Sequence, residues 1–160
     1  LAKEFVGEAP FLLTYGDILV KPDTYRQMLA RWDGGELSGL VTVTGSEDVT
    51  KGGLFFFDNE FFLQHLVEKP SAAQLEELRT AGWLKSGEPA WYNAGIYCFT
   101  PSLFQYTAQL AKSPRGEYEL TDALTAMLSE DHAIAGLAIE GRWVDVRDPC
   151  VLQALQESAE

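Results

Sequence analysis

Histidine and cysteine are scarce in this sequence, with two of each among 160 residues. His65 and His132 are too few and too far apart in the chain to form a metal site, so both are expected to be structural. Cys98 and Cys150 have no metal-binding spacing and lie in apolar or helical segments, which predicts buried, reduced thiols. Reduced thiols are typical of a cytoplasmic protein.

Long apolar runs and positive charge are also in short supply. No run approaches the roughly 20 apolar residues of a membrane span, and the first residues lack the apolar region of a signal peptide. The 12 basic residues face 24 acidic ones, giving a net charge of −12 that repels nucleic acid. A small anionic ligand held by a metal ion and a few cations stays possible. We therefore expect a cytoplasmic protein that binds neither membranes nor nucleic acid.

What is present is an ordinary globular composition, with 46% apolar and 22% charged residues. A chain of this length can bury a real core, so residues 1–160 are expected to form a single domain. β-rich runs alternate with segments of helical periodicity. The predicted strands are residues 11–15, 40–44, 54–57, 61–67, 91–99, 134–139 and 141–146. The predicted helices are residues 22–32, 71–81, 100–110, 116–128 and 148–156.

This order predicts an α/β fold. The first strand, first helix and second strand indicate a right-handed parallel crossover, with Gly34-Gly35 ending the helix. The aromatic strands 54–57 and 61–67 are expected to form a hairpin with a three-residue connection, Asp58-Asn59-Glu60. Their phenylalanines are expected to belong to the core.

Polar groups follow or interrupt several predicted strands, where open α/β sheets place their ligand crevice. In chain order the motifs are Gly16-Asp17, Glu68-Lys69-Pro70, Asn93-Ala94-Gly95 and Trp143-Val144-Asp145. Each motif also has a structural interpretation. These are a strand-to-turn ending at Gly16-Asp17, a solvated strand end at Glu68-Lys69, a bulge satisfied by Asn93, and an ion pair of Asp145 with Arg142 or Arg147.

Taken in this order, the motifs resemble those of the sugar-1-phosphate nucleotidylyltransferases, which join a sugar phosphate to an NTP and release pyrophosphate. Two further segments fit that family. Residues 116–122 (GEYELTD) resemble the G-E-x-x-x-T-D sequence with which one of its helices starts. Residues 145–149 (DVRDP) resemble its C-terminal motif, in which an aspartate and two variable residues are followed by a helix with a proline at its start. The resemblance extends from Phe11 to about Leu155, and it implies a Rossmann-like, mostly parallel mixed sheet flanked by helices.

The resemblance also implies roles for individual residues. Asp17 and Asp145 would hold Mg²⁺ against the α-phosphate. Such chemistry needs charge neutralisation and positioning, which is consistent with the scarcity of histidine and cysteine.

The substrate side follows from the same comparison. Glu68 and Asn93 would bind the sugar, Lys69 would lie close to its phosphate, and Gly95 would leave space for the sugar. Gly53 would contact the sugar through its backbone. The expected partners are a sugar 1-phosphate and an NTP or NDP-sugar.

The sequence departs from the family in two places. It contains neither the Gly-rich G-x-G-T-R loop nor the P-K segment that hold the NTP. We therefore expect a C-terminal portion of the fold, incomplete on its N-terminal side and inactive by itself, with residues 11–15 as a central strand. A second copy of the chain or a missing segment would cover the open sheet edge. The other departure is a helical insertion at residues 71–89, expected to be a lid or an interaction element. The alternative function is a non-catalytic domain that binds sugar phosphates or nucleotide sugars.

Overall fold

The computed structural model of the protein describes residues 2–32, 36–45, 47–147 and 149–157. These residues form six helices and eight strands. The helices are α1 (Ala2–Val6), α2 (Pro22–Trp32), α3 (Ala72–Thr80), α4 (Leu103–Thr107), α5 (Leu120–Ser129) and α6 (Pro149–Glu157). The strands are β1 (Phe11–Thr14), β2 (Ile18–Val20), β3 (Gly39–Thr44), β4 (Gly53–Phe57), β5 (Leu63–Glu68), β6 (Trp91–Phe99), β7 (Ile134–Ala138) and β8 (Trp143–Asp145).

The main sheet is organised around β6, which pairs antiparallel with β1, β3 and β4. The strand β3 runs along one side of β6 and pairs in parallel with β7 on its far side. On the other side, β1 pairs with the C-terminal half of β6 and β4 with its N-terminal end, while β5 adds antiparallel to β4. Four of the six strands, β1, β3, β4 and β7, therefore share one direction. The expected Rossmann-like mixed sheet with flanking helices is confirmed.

The helix α2 lies between β1 and β3 in the chain, as predicted, but the short strand β2, which the sequence did not predict, precedes it. Pro22 occupies its first position, where the missing N–H costs nothing, and Thr24 and Met28 on its inner face are buried. Because β6 lies between them, β1 and β3 run parallel without being neighbours. The Gly34-Gly35 stop lies outside the described residues.

The aromatic hairpin differs from its prediction in the connection. Phe57 pairs with Leu63, so residues 58–62 form the loop and the predicted three-residue connection is wrong. The cause is Asp58, whose carboxylate accepts hydrogen bonds from the N–H groups of Glu60 (3.0 Å) and Phe62 (2.9 Å). Phe61 takes a left-handed backbone (φ 65°), which removes it from the ladder.

Cores form on both faces of the sheet. Val41, Phe55 and Tyr97 pack with α4 and α5 on one face, and Leu40 and Ile96 pack with α2 on the other. Leu75 and Leu78 of α3 cover Leu54 and Phe56, and a capping box at Ser71 and Gln74 begins that helix. The structure thus places the insertion against β4, with its helix packed on the sheet.

The cysteines and one of the histidines lie in different environments. Cys98 is buried in β6, but Cys150 is exposed, because it lies in the first turn of α6, a helix that contributes no fully buried residue among those described. The prediction of two buried thiols is therefore wrong for Cys150. His132 lies 2.7 Å from the hydroxyls of both Ser38 and Tyr106, linking the start of β3 to α4.

The strand β1 has no second partner strand among the described residues. Leu12 is 50% exposed on this edge. None of the described helices has the length and apolar content needed to span a bilayer.

Candidate active site

One cleft collects the polar residues that follow the strand ends. It is a cavity of about 330 Å³ bounded by the end of β1, the β2–β8 ribbon, the adjoining ends of β4 and β5, and β6. Six of the seven predicted site residues line it: Asp17, Gly53, Glu68, Lys69, Asn93 and Asp145. The seventh, Gly95, lies behind the wall that Tyr15 forms.

The β2–β8 ribbon brings the two aspartates to the same wall of the cleft. Ile18 pairs with Asp145, and the Val146 N–H donates to the Asp17 carbonyl at 2.8 Å. The Asp17 side chain is exposed, whereas the Asp145 side chain is 19% exposed. A three-residue strand pair thus brings Asp17 and Asp145, which are far apart in the chain, to one cleft.

The two carboxylate oxygens of Asp145 lie in different environments. Its Oδ2 forms an ion pair with the Arg147 guanidinium. The ion pair that the sequence suggested for Asp145 is therefore present, and its partner is Arg147. Its Oδ1 is buried and has no hydrogen-bond partner among the described residues. A buried carboxylate oxygen without a donor is costly unless a ligand or an ion completes it.

The opposite wall is built by the adjoining ends of β4 and β5. Gly53 pairs with Glu68, and a Cβ on Gly53 would lie 3.1 Å from Glu68 Oε2, so a glycine lets this carboxylate lie against the backbone. Lys69 follows with a left-handed backbone (φ 41°), and its N–H donates to the Gly52 carbonyl at 3.1 Å. This uncommon conformation ends the strand and leaves the Lys69 side chain exposed at the cleft.

Glu68 is held in an acidic environment. Burial raises the pKa of its carboxyl and repulsion from Glu119 raises it further, while Lys69 and Arg115 oppose the shift. Arg115 lies 2.7 Å from Glu119 and 3.7 Å from Glu68, so one guanidinium serves both carboxylates. Ionised Glu68 is therefore only partly compensated by its neighbouring cations.

This environment gives a prediction for Glu68→Gln. A carboxyl whose pKa is raised in the folded state contributes stability that is complete below its unfolded pKa, near 4.5, and is lost as pH rises through the folded pKa. At about pH 7.5 the variant should melt on the order of 2 °C above the unsubstituted protein, and at about pH 4 the two should coincide. Thermal unfolding at both pH values measures this.

Glu117→Gln is the matched control, because Glu117 is an exposed partner of the same Arg115. An equal gain in the control at pH 7.5 would contradict the assignment.

Asn93 is oriented by a network beneath the cleft floor. The buried Tyr97 hydroxyl donates to its Oδ1 at 2.8 Å, and the Gly95 N–H donates to the same oxygen at 3.1 Å. The bulge expected for Asn93 is present, because Val41 pairs with Tyr97 whereas Val43 pairs with Asn93. Burial raises the pKa of Tyr97 well above its ordinary value, so the hydroxyl stays protonated. With Oδ1 engaged, the Asn93 amide nitrogen is the group that remains to donate to a ligand.

Gly95 makes this arrangement sterically possible. Its backbone is left-handed (φ 78°), and a Cβ at this position would lie 2.6 Å from Cδ2 of Tyr15. The Tyr15 N–H donates to the Gly95 carbonyl at 2.9 Å. The space beside the glycine therefore holds the Tyr15 ring, and its contact with a sugar stays a prediction.

Sequence reasoning missed several residues of the cleft. Tyr15, Tyr92, Glu119 and Lys51 line it without belonging to the predicted set, and Arg147 was considered only as an ion-pair partner. Two of them carry a weak signal, since Tyr15 and Tyr92 directly precede the motifs at Gly16 and Asn93. Glu119 lies within residues 116–122, the segment that resembles the family motif, and Lys51 lies two residues before Gly53, but neither was assigned a role.

The donor set suits a hard divalent cation. The described part of the chain contains no cluster of three or more metal-binding side chains. Mg²⁺ nevertheless commonly uses one or two carboxylates and completes its shell with water and substrate phosphates. Asp17 and Asp145 supply such a pair, and the unpartnered Asp145 Oδ1 is a ready oxygen donor. The residues therefore fit the implied ion.

Comparison with known proteins assigns the family. Residues 1–156 match the model of the family described as nucleotidyl transferase. The chain belongs to the nucleotidyl transferase family. The resemblance drawn from the strand-end motifs is thereby confirmed at the level of the family. That an N-terminal part of the fold is missing stays a prediction.

Two relatives illustrate the match. The chain is 29% identical over 150 residues to the low-salt glycan biosynthesis nucleotidyltransferase Agl11 of Haloferax volcanii, which covers 92% of the chain and 37% of that protein. It is 30% identical over 149 residues to a bifunctional sugar-1-phosphate nucleotidylyltransferase/acetyltransferase of Sulfurisphaera tokodaii, covering 93% of the chain and 32% of the relative. The chain thus spans about a third of the length of these curated relatives.

Solved structures agree on the fold. A UDP-glucose pyrophosphorylase complexed with UDP-glucose superposes with a TM-score of 0.79 at 18% identity, over 99% of this chain and 58% of that one. A UTP-bound UGPase from Acinetobacter baumannii gives a TM-score of 0.72 at 23% identity, over 98% of this chain and 53% of that one. At these identities the likeness shows the fold alone.

Proposed function

We propose that the cleft is the sugar-phosphate and metal side of an active site that transfers a nucleotidyl group from an NTP to a sugar 1-phosphate. The observation that carries this proposal is the convergence of two carboxylates, a lysine, and the Glu68 and Asn93 side chains on one cavity of about 330 Å³. A cavity of that size accommodates a sugar phosphate. The family of the chain and the function named for its relative from Sulfurisphaera tokodaii support the same reaction.

The aspartates are assigned to the ion. Asp17 and Asp145 would hold Mg²⁺, which supplies charge neutralisation and positioning for the α-phosphate. In the reaction, an oxygen of the sugar phosphate forms a bond to the α-phosphorus of the NTP, and the bond from that phosphorus to the bridging oxygen of pyrophosphate breaks. No side chain has to act as a nucleophile in this step.

The remaining residues are assigned to the sugar phosphate. Lys69, exposed at the cleft, would neutralise the phosphate, and the acceptor oxygens of Glu68 would bind sugar hydroxyls. The Asn93 amide nitrogen would donate to the sugar, because the Asn93 oxygen is already engaged by Tyr97 and Gly95. Gly53 would allow close approach of the ligand to the backbone.

Binding and turnover test the proposal separately. Glucose 1-phosphate and UDP-glucose should raise the melting temperature of the chain in the presence of Mg²⁺ and much less in its absence. Asp17→Ala and Asp145→Ala should abolish the Mg²⁺-dependent increase, whereas the control Asp23→Ala, at an exposed position of α2, should retain it. Ligand-induced shifts unchanged in both cleft variants would refute the metal site. Pyrophosphate release should be weak or absent for residues 1–160 alone, because the sequence has no Gly-rich NTP loop.

A second candidate is a non-catalytic domain that binds sugar phosphates or nucleotide sugars. The ion pair of Asp145 with Arg147 favours it, since a guanidinium already neutralises one of the two aspartates. Such a domain would bind glucose 1-phosphate equally well with and without Mg²⁺. Binding that persists in Asp145→Ala would therefore favour this candidate over the first.

A further inference from the structure

Arg147 lies at the boundary between two cavities. It lines the cleft of about 330 Å³ described above and a neighbouring cavity of about 360 Å³, and Asp145 lines both as well. Lys51 lines both cavities as well. The Arg147 side chain is 38% exposed, so it is partly accessible to solutes.

The ion pair follows from local geometry. Residues two apart in extended chain project to the same side, which brings the Arg147 guanidinium to the Asp145 carboxylate. The backbone at this point is anchored, because the Val146 N–H donates to the Asp17 carbonyl at 2.8 Å. Burial raises the pKa of the Tyr92 hydroxyl and Arg147 lowers it by less, so the guanidinium lies close to that hydroxyl as well. The Arg147 side chain therefore lies between Asp145 and Tyr92, both of which line the cleft.

The ion pair is incomplete. A guanidinium can bind both oxygens of a carboxylate, but here only Oδ2 is paired, and the buried Oδ1 has no partner among the described residues. Asp145, which lines the same cleft as Asp17, thus keeps one buried acceptor without a partner among the described residues. A divalent cation bound there would compete with Arg147 for the charge of Asp145.

We propose that Arg147 is an internal counter-ion that exchanges partners: it neutralises Asp145 in the ligand-free protein, leaves it when a divalent cation binds, and then binds an oxygen of the substrate phosphate. The planar fork of donors that pairs with a carboxylate also matches a phosphate, so the same side chain serves both states. This inference rests on the proposed function and adds to it a residue that couples the cation to the sugar phosphate.

The proposal has a thermodynamic consequence. Because Arg147 competes with the cation but assists the phosphate, each ligand should raise the affinity for the other by the same factor. Without Arg147 the cation should bind more tightly on its own, whereas the phosphate should lose its coupling to the cation. A guanidinium that merely stabilises the fold would produce neither effect.

The test uses Mn²⁺ and glucose 1-phosphate as probes on residues 1–160. Free Mn²⁺ is measured by electron paramagnetic resonance in titrations with and without the sugar phosphate, for the unsubstituted protein, Arg147→Ala, Arg147→Lys and Arg142→Ala. Arg142→Ala is the matched control. It removes the same charge from an exposed position near the ribbon, and Arg142 makes no ion pair with any described residue. Thermal unfolding verifies that each variant is folded.

We expect Arg147→Ala to bind Mn²⁺ alone about fivefold or more tightly than the unsubstituted protein. The tightening by glucose 1-phosphate should be about fivefold or more in the unsubstituted protein and below about twofold in this variant. Arg147→Lys, which keeps the charge without the fork, should lie between, and it decides the question if Arg147→Ala does not fold. Equal Mn²⁺ affinities in Arg147→Ala and Arg142→Ala, or undiminished coupling in Arg147→Ala, would overturn the inference while leaving the proposed function intact. Absence of Mn²⁺ binding by the unsubstituted protein would overturn both.

Discussion

Gly95→Ala is expected to lower the free energy of unfolding by roughly 3 kcal/mol. Two causes combine. The backbone at this position is left-handed (φ 78°), which a side chain rarely adopts, and the new methyl group would lie 2.6 Å from Tyr15 Cδ2 and 3.2 Å from Ile18 Cγ1. Denaturant unfolding monitored by circular dichroism measures the loss.

The control for this variant is Gly82→Ala. Gly82 has nearly the same backbone angle (φ 79°), but a Cβ there would meet no atom within 4 Å. Its substitution should cost roughly 1–2 kcal/mol, the backbone cost alone. The difference between the two variants isolates the contact with Tyr15. The double variant Tyr15→Ala/Gly95→Ala should recover most of that difference, and equal losses for Gly95→Ala and Gly82→Ala would show that the contact is unimportant.

Gly95→Ala should also weaken ligand binding in the still-folded fraction. The Gly95 N–H is one of the two donors that orient Asn93, and Tyr15 forms part of the cleft wall. Displacing either changes the direction of the Asn93 amide. A tenfold weaker affinity for glucose 1-phosphate corresponds to about 1.4 kcal/mol, which is the order of one misplaced hydrogen bond. Calorimetry at a temperature well below unfolding measures it.

Trp143→Ala is expected to be the most damaging change at the cleft, with a loss of roughly 3–4 kcal/mol in stability. The indole packs against the core on the α2 face, and its Nε1–H donates to the Ala94 carbonyl at 2.9 Å. Its ring also meets Tyr92 edge to face at 6.1 Å between centroids. Removing the side chain leaves a cavity and a buried carbonyl without this donor.

The damage should extend to binding, because Trp143 begins the three-residue strand that ends at Asp145. Loss of this anchor frees the β2–β8 ribbon, so Mg²⁺-dependent binding of glucose 1-phosphate should disappear. Trp143→Phe keeps a ring but not the donor, and it should cost about 1 kcal/mol and retain binding. Trp83→Ala is the control at a distant site, since Trp83 is 40% exposed and should cost much less. Full binding by folded Trp143→Ala would contradict the anchoring role.

Most elements of the fold were predictable because their signals are local. The periodicity of α2 and its first-turn proline indicate its bounds, and Ser71 with Gln74 announces the start of α3. The hairpin loop was predicted too short, because Asp58 holds Phe61 and Phe62 outside β5: its carbonyl accepts from the Phe61 N–H and its carboxylate accepts from the Phe62 N–H. A pattern of apolar residues does not reveal such a side-chain bond.

The candidate site, like the fold, was predictable only in part. The residue types at the strand ends, such as Asp17 and Asn93, are visible in the sequence because strands of an open α/β sheet end at its ligand crevice. Their environments are not visible. The raised pKa of Glu68 depends on its burial and on Glu119, which approaches from the segment before α5. The direction of the Asn93 amide depends on the hydrogen bond from the Tyr97 hydroxyl. A regular strand would place these two residues on the same face, but the sequence does not show that the hydroxyl and the amide oxygen are bonded.

The sequence by itself determined the order of helices and strands from α2 onward, but not the strand β2, together with the acidic net charge and the chemical types of the groups in the cleft. It could do so because periodicity, turn chemistry and composition are properties of neighbouring residues. Only the tertiary structure decided which of these groups meet: Asp17 beside Asp145, Arg147 on Asp145, and Tyr15 against Gly95. Two of these contacts join residues far apart in the chain, and the third depends on which oxygen of a carboxylate is buried. Distances and burial of this kind arise only when the strands are packed together.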